Sequence, residues 1–314
     1  MKVSFVIPLY NCLALTQAMA ASLQASLPAG LEHEIILVDD GSTDGTRVWL
    51  ATLSAPFRVV LNERNLGYAA ANNRGADLAR GDILALLNND LVLSPGWLEP
   101  TLAAHRSLGP RAGLVGNVQL SVATGEVDHA GMFLNVKGKM EHLRARPSLL
   151  ARWLQPVRPM CAVTGACVLL DRALWTQLGG FDESYVNGSE DVDLCFRATA
   201  AGRVNAVALR SVVRHHVSAS VGRKARDEEN TCRFTRRWRD ELPRLINRSW
   251  CWRYLEAHWS GSRDATDHVL ARGMFFYALH LRRTPPPGAF LALSAALDAE
   301  FARWDAMFAA PDKT

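Results

Sequence analysis

Four clusters in this 314-residue chain combine side chains that hold cations, phosphates or protons. Asp39-Asp40-Gly41-Ser42-Thr43-Asp44-Gly45-Thr46 sets two carboxylates directly after an apolar run. Asn88-Asn89-Asp90 follows another such run, and Ser189-Glu190-Asp191-Val192-Asp193 packs three acids into four positions. His215-His216 completes the set. Each has a plain structural reading. Ser, Thr and Asp cap helices, acids in a first helical turn gain about 0.3–1 kcal/mol each, and Asn-Asn-Asp favours turns. A cap requires one acid rather than three, however, and crowding of like charges suits a group that must accept a proton. A hard divalent cation needs only one or two protein oxygens when a phosphate supplies more, which Asn88-Asn89-Asp90 can meet. A carboxylate at 39–40 can accept a hydrogen bond from the imide N–H of a nucleobase.

The elements that must position these clusters are legible in the periodicity. Short β-rich runs at 3–9, 34–40, 58–63 and 82–88 alternate with helical stretches at 13–26, 44–53, 67–79 and 95–106. That alternation predicts a parallel sheet covered on both faces, whose ligands bind beyond the C-terminal strand ends. The candidate clusters at 39–46 and 88–90 fall there. Residues 121–160 read as a long functional insertion or lid. A compact unit returns at 161–216, with an apolar stretch at 161–170, a Gly179-Gly180 turn, a helix from about 189 and a strand near 204–213. Helical periodicity continues through 225–258 and 264–283, and Pro285-Pro286-Pro287-Gly288 precedes a last helix at 289–309.

Composition narrows the class. Hydrophobic residues make up 49% and charged residues 21%, ordinary for a folded globular protein. No apolar run approaches the ~18–20 residues that span a bilayer. Lys2 and the following apolar residues imitate a signal peptide, but Pro8, Asn11, Thr16 and Gln17 interrupt the run, so 3–9 is expected as the first strand of a cytosolic domain. Six scattered cysteines without a CxxC pair predict free thiols. The net charge of +4 divides unevenly: residues 1–200 carry 16 basic and 19 acidic side chains, whereas 201–314 carry 19 and 12. The basic part is expected to face an anion.

Together the motifs resemble the inverting glycosyltransferases of family 2, which have the GT-A fold. The resemblance rests on Val6-Ile7-Pro8-Leu9-Tyr10-Asn11, the 36–46 and 88–90 segments, Asn65-Leu66-Gly67, Thr164-Gly165-Ala166, Gly179-Gly180-Phe181-Asp182-Glu183, the 189–194 acids and His215-His216. It covers about residues 3–220 and looks nearest to bacterial enzymes that extend rhamnose- or galactose-containing surface polysaccharides. It implies a Rossmann-like, mostly parallel central sheet with helices on both faces. The expected domains are 1–220, divided into a nucleotide-binding half (1–110) and an acceptor half (111–220), and a helical, basic, Trp-rich extension (221–314).

The resemblance also implies roles. Pro8, Tyr10, Asp40, Asn65, Asn72 and Asn89 are expected around the uracil or thymine nucleotide, with Asp40 reading the imide. Thr164 and Gly165 are expected at the donor sugar. Asp90 takes the last position of the family's DXD motif and, with His215, should bind Mn²⁺ or Mg²⁺ on the diphosphate; His216 is the alternate. Asn88 replaces the first acid of that motif, so weaker metal binding is expected. Asp191 is the expected general base, with Glu190 and Asp193 as alternatives. The implied partners are a UDP- or dTDP-sugar and a glycan or lipid-linked acceptor. The implied location is the cytoplasm, with peripheral contact at the inner membrane face through the C-terminal helices. His129 and residues 138–146 are expected to touch the acceptor.

Competing classes leave different signatures. A non-catalytic sugar-nucleotide or glycan-binding module would not require Glu190-Asp191. An NAD-dependent oxidoreductase would carry GxGxxG after its first strand, yet no glycine lies between residues 1 and 29. The basic C-terminal part raises nucleic-acid binding, against which stand the interspersed Asp227, Glu228, Glu229, Asp240 and Glu241 and the lack of a recognition motif. Arg223, Lys224, Arg226, Arg233, Arg236 and Arg237 are read as a solvated helix face, a mobile arm on the donor phosphates, or a patch for an acidic carrier lipid.

Overall fold

The computed structural model describes residues 1–216, 226–258 and 265–309. The expected boundary at 220, Arg223 and Lys224 lie outside the described residues. Contacts divide the chain into two units, one of Met1–Met132 with His142–Asp227 and one of Phe133–Glu141 with Glu228–Thr314.

The first unit begins with β1 (Val3–Leu9), α1 (Leu13–Ser26), β2 (His33–Asp39), α2 (Thr46–Leu50), β3 (Phe57–Leu61), α3 (Tyr68–Asp77) and β4 (Ile83–Leu87). Then come β5 (Leu91–Val92), α4 (Leu98–Leu108), β6 (Ala112–Ser121) and β7 (Val127–His129), before the β8 (Met132–Leu134) and β9 (Met140–His142) hairpin, most of which belongs to the second unit. The first unit closes with α5 (Leu149–Leu154), β10 (Val157–Pro159), β11 (Cys167–Asp171), α6 (Arg172–Leu178), α7 (Glu190–Ala200) and β12 (Val204–His215). The large sheet runs β10-β12-β6-β11-β4-β1-β2-β3, with β5 on β12 and β7 on β6.

The β4-β1-β2-β3 half is parallel, as the alternating pattern of the first hundred residues predicts. Beyond β4 the sheet is mixed. β11 runs antiparallel to both β4 and β6, while β6 and β12 pair in parallel. The apolar stretch expected at 161–170 becomes a strand only from Cys167, because residues 164–166 form the loop that enters it.

Alternation of side chains along the strands builds two cores. Phe5, Ile7 and Leu9 of β1, with Ile35 and Leu37 of β2, pack with Met19 and Leu23 of α1 and with Leu98 and Leu102 of α4. Val6 and Val38 point to the other face, where they meet α3 at Gly75. A Cβ at Gly75 would lie 2.5 Å from Val6 Cγ1, so glycine permits this close helix–sheet contact. The turn after β1 uses no glycine: Asn11 (φ 54) and Cys12 (φ 61) take the left-handed conformation. The Asn11 side chain pays this cost back by accepting the Thr43 N–H at 2.8 Å, tying the β1 and β2 exit loops together. All six cysteines are free, and burial pushes the Cys167 thiol up to about 12.

The second unit joins the 133–141 hairpin segment to α8 (Asp227–Arg237), α9 (Arg248–His258), α10 (Ala265–Ala278) and α11 (Pro287–Ala309). Here the basic surplus meets acids of the same unit. Arg236 pairs with Asp305, Arg239 with Asp298, and Arg303 with both Glu228 and Glu300. Arg236 and Arg239 both lie over the Phe301 ring. Arg236 is therefore occupied in packing α8 on α11 rather than simply solvated. No described helix is long and apolar enough to cross a membrane.

Candidate active site

Strand direction explains why distant segments meet. The parallel strands release their exit loops at one edge: residues 10–12 after β1, Asp40 after β2, 62–67 after β3 and 88–90 after β4. β11 runs the opposite way, with Cys167 beside Leu87, so its entering loop, Thr164-Gly165-Ala166, arrives at that same edge. His215 ends β12 next to Leu91 of β5, and α7 brings Glu190 and Asp191. One cleft is lined by Pro8, Tyr10, Asp40, Asn65, Tyr68, Asn88, Asn89, Asp90, Thr164, Gly165, Asn187, Glu190 and Asp191.

At the β2 end of the cleft, Asp39 and Asp40 divide the labour. Asp39 is wholly buried, pairs with Arg47 at 2.7 Å and receives the Ser42 N–H. Asp40 faces the cleft while Oδ1 accepts from Asn62 Nδ2 (2.7 Å) and Leu66 N (2.9 Å) and Oδ2 from Gly67 N (2.9 Å). Its carboxylate thus fixes the loop before α3, and Oδ2 retains acceptor capacity for a ligand. Tyr10 stands 48% exposed on the cleft lining, its aromatic ring open to a ligand. Asn65 is exposed on the lining. Asn89 lines the cleft but its amide donates to Thr16 of α1 at 2.9 Å. Asn72 is not brought to the cleft wall. It is fully buried within α3, donating to the Tyr68 carbonyl at 2.9 Å, because the helix turns that position towards the sheet.

Asn88, Asp90 and His215 bring unsatisfied polar atoms to one end of the cleft. Asn88 Oδ1, Asp90 Oδ1 and both ring nitrogens of His215 are buried without a hydrogen-bond partner. His215 Nε2 lies 3.1 Å from Asp90 Oδ1, yet the two lack hydrogen-bond alignment. Buried polar atoms cost roughly 1–3 kcal/mol when unsatisfied, so such a group of oxygen and imidazole donors fits a divalent cation. Among the described residues no cluster of three His, Cys, Asp or Glu could hold a metal by itself. A cation there would draw further ligands from a diphosphate, in keeping with Asn88 standing where the DXD motif has an acid.

The three acids of α7 separate cleanly. Asp193 is fully buried and paired with Arg197 at 2.8 Å, whose guanidinium also caps the Leu178 and Gly180 carbonyls. Glu190 is buried, lines the cleft and accepts the Gly188 N–H at 2.7 Å. Asp191 is half-buried and lines the cleft. Its Oδ2 accepts from Gly165 N at 2.7 Å and Oδ1 from Val192 N at 2.8 Å, leaving further lone pairs for a proton donor.

Two lining residues went unassigned in the sequence. Tyr68 donates from its hydroxyl to the Gly165 carbonyl at 3.0 Å, so one loop residue is held by Tyr68 on its C=O and by Asp191 on its N–H. Asn187 adopts φ 56 and accepts the Tyr68 N–H at 3.3 Å. Gly67-Tyr68 and the Asn187-Gly188 pair were the available signals, though neither spacing reveals the partner. His129, expected at the acceptor, is completely buried. Its Nε2 accepts from Thr164 N, its Nδ1 lies 3.1 Å from that of His142, and burial holds its pKa well below the usual value, helped by His142 and His215.

Comparison with known proteins places this geometry. The profile described as "Glycosyl transferase family 2" matches residues 4–172. The chain is 33% identical over 231 residues to the O-antigen biosynthesis protein RfbC of Myxococcus xanthus, covering 70% of this chain and 18% of that protein. It is 31% identical over 223 residues to an N-acetylglucosaminyl-diphospho-decaprenol L-rhamnosyltransferase of Mycobacterium tuberculosis, covering 63% and 72%. A y4gI protein of Sinorhizobium fredii is 31% identical over 76% of this chain, which spans 27% of its length. The chain thus spans under a third of two of these relatives. In fold it is similar to GalNAc-T7 crystallised with UDP, GalNAc and Mn²⁺ (TM-score 0.62, 18% identity, 77% of this chain and 49% of that one). It is likewise similar to Staphylococcus aureus TarS 1–349 (TM-score 0.57, 14% identity, 98% and 91%). With its motifs on the strand-end loops of a mixed GT-A sheet, the chain belongs to glycosyltransferase family 2.

Proposed function

We propose that this protein is an inverting glycosyltransferase that moves a sugar from a UDP- or dTDP-sugar to a hydroxyl of a glycan or lipid-linked acceptor. The observation that carries the reading is Asp191: of the three acids in α7, it combines a cleft-lining carboxylate with fixation by the Gly165 N–H. The acceptor oxygen attacks the anomeric carbon as Asp191 takes its proton. The carbon–oxygen bond to the diphosphate breaks, and its electron pair leaves with the nucleotide. Attack opposite the leaving group inverts the centre. Glu190 fixes the turn that presents Asp191, and Tyr68 orients Gly165, whose neighbour Thr164 faces the donor sugar. Tyr10, Pro8 and Asp40 hold the base, with Asn65 at the pocket mouth.

Asp90, His215 and the Asn88 amide oxygen would hold Mn²⁺ or Mg²⁺; when bound it supplies positive charge to the departing diphosphate. The name of the mycobacterial relative includes a diphospho-decaprenol acceptor, which supports a lipid-linked acceptor here. GalNAc-T7 with UDP and Mn²⁺ supports a uridine donor and a divalent cation.

The test is hydrolysis of UDP- and dTDP-sugars with and without Mn²⁺, beside a thermal-shift panel of the same donors. Cation-dependent release of the nucleoside diphosphate is expected, and Asp191→Asn should lower the rate by about 10²–10⁴-fold while the donor still raises the melting temperature. Unchanged turnover in that variant would sink the mechanism. Donor binding with no turnover in the intact protein would instead indicate a binding module.

A further inference from the structure

Helix α5 inverts the usual rule for a surface helix. Leu149, Leu150, Trp153 and Leu154 are 81%, 63%, 70% and 64% exposed, and none of its residues is buried. Water-facing apolar side chains of this size, four in six positions, form a contiguous patch that a soluble surface rarely carries without a partner.

The helix is nevertheless firmly attached, and by its polar groups. Ser148 caps it by accepting the Ala151 N–H at 3.1 Å. Arg152 Nε donates to the Leu209 carbonyl at 3.0 Å, Arg210 Nε donates to the Arg152 carbonyl at 2.9 Å, and Leu209 N donates to the Pro156 carbonyl at 2.8 Å. These contacts fall where β12 bulges between Ala208 and Val212 relative to β6, freeing backbone groups to receive the helix. The anchoring fixes the apolar face outward.

Charge identifies what that face meets. Between Glu141 and Asp171 the chain has no acid and carries Arg144, Arg146, Arg152 and Arg158. Arg144 and Arg146 are exposed just before the helix, Arg144 lying 3.9 Å from Asp128 and Arg146 donating to the Gly125 carbonyl at 3.1 Å, and Arg210 is exposed where it grips the helix. Leu and Trp at the tip with arginines around them match an anionic bilayer, in which apolar side chains enter the acyl boundary and guanidiniums stay with phosphates. β12 carries this bulge in its middle and His215 at its end, so one strand links the patch to the cleft.

We propose that α5 and its flanking arginines dock the catalytic unit on an anionic lipid surface, the place where a lipid-linked acceptor is met. The proposal deepens the glycosyltransferase reading, since the acceptor belongs to that reading, but the docking itself is read without turnover.

Co-sedimentation of the full chain with phosphatidylcholine vesicles, with and without phosphatidylglycerol, tests it. The protein should bind the phosphatidylglycerol vesicles. The quadruple variant Leu149→Ser/Leu150→Ser/Trp153→Ser/Leu154→Ser should lose at least roughly tenfold in partitioning, and Arg144→Glu/Arg146→Glu should weaken binding in a salt-dependent way. Leu149, Leu150, Trp153 and Leu154 are exposed, so the melting temperature and nucleotide-sugar hydrolysis of the quadruple variant should match the parent. Absence of vesicle binding, or parental binding by the quadruple variant, overturns the proposal. So does a parent dimer in sedimentation that the quadruple variant abolishes, which would assign the face to a second copy. Vesicle binding without hydrolysis would leave the docking intact and reject the enzymatic reading instead.

Discussion

The acidic residues of α7 illustrate how three side chains of one type acquire separate duties through their neighbours. Removing the Asp193 carboxylate leaves the Arg197 guanidinium without its buried partner, a change that typically costs 3–5 kcal/mol. Asp193→Asn is therefore expected to lower the urea midpoint strongly. Asp191→Asn, at a half-buried position, should leave the midpoint close to the parent and remove turnover instead. Equal losses of stability in the two variants would contradict this division. The cation site makes a second residue-scale prediction. Asp90→Asn should raise the Mn²⁺ concentration for half-maximal hydrolysis by more than about tenfold, because Asp90 supplies the only carboxylate oxygen among Asn88, Asp90 and His215. An unshifted Mn²⁺ titration would remove Asp90 from the site. The sequence already pointed to Asp40 and Asp90 through residue type and strand-end position, and to Asp191 through the crowding of acids at a helix start. It could not show that Asn72 turns inward or that Tyr68 braces Gly165, because those facts depend on helix rotation and on a partner 97 residues away.

At the scale of elements, the sheet positions the site through strand direction and close packing. α3 lies against β1 and β2 only because Gly75 presents no side chain to Val6 and Val38. Gly75→Ala should cost about 1–3 kcal/mol by overpacking, despite the better helix propensity of alanine. A melting temperature equal to or above the parent's would show that α3 can shift outward freely. Because α3 carries Tyr68 at its start, displacement should also weaken donor binding. The antiparallel course of β11 is the other decisive element. The first hundred residues announce a parallel sheet through alternating periodicities, whereas an apolar strand reads the same in either direction. Only pairing with Leu84–Leu87 shows that Thr164-Gly165-Ala166 enters the cleft from the opposite end.

For the molecule as a whole, buried histidine chemistry couples folding to pH. His129 is neutral in the folded protein because burial, then His142 and His215, hold its pKa well below 6.5. In the unfolded chain the ring titrates near 6.5, so below that pH the unfolded state binds more protons and stability falls. The slope is up to about 1.4 kcal/mol per pH unit for this group, absent above pH 6.5 and ending at the folded pKa. Urea unfolding across this range should show a decline that is shallower in His129→Gln; an equal slope would assign the acid sensitivity elsewhere. Charge tells a related story at this scale. The surplus of base over acid in residues 201–314 suggested an anionic partner, yet Arg236, Arg239 and Arg303 are engaged by acids of their own unit. The stretch 142–170 around α5 holds no acid of its own, and there Arg144 reaches Asp128 only at 3.9 Å while Arg146 donates to the Gly125 carbonyl, a distribution that a whole-chain sum conceals. By itself the sequence determined the alternating strand–helix order, the family and the nominated acids, because periodicity and short motifs are local properties. Tertiary structure decided which acid faces the cleft, which basic residues are already paired and which apolar helix stays uncovered. Those are properties of neighbours in space, and the chain order does not contain them.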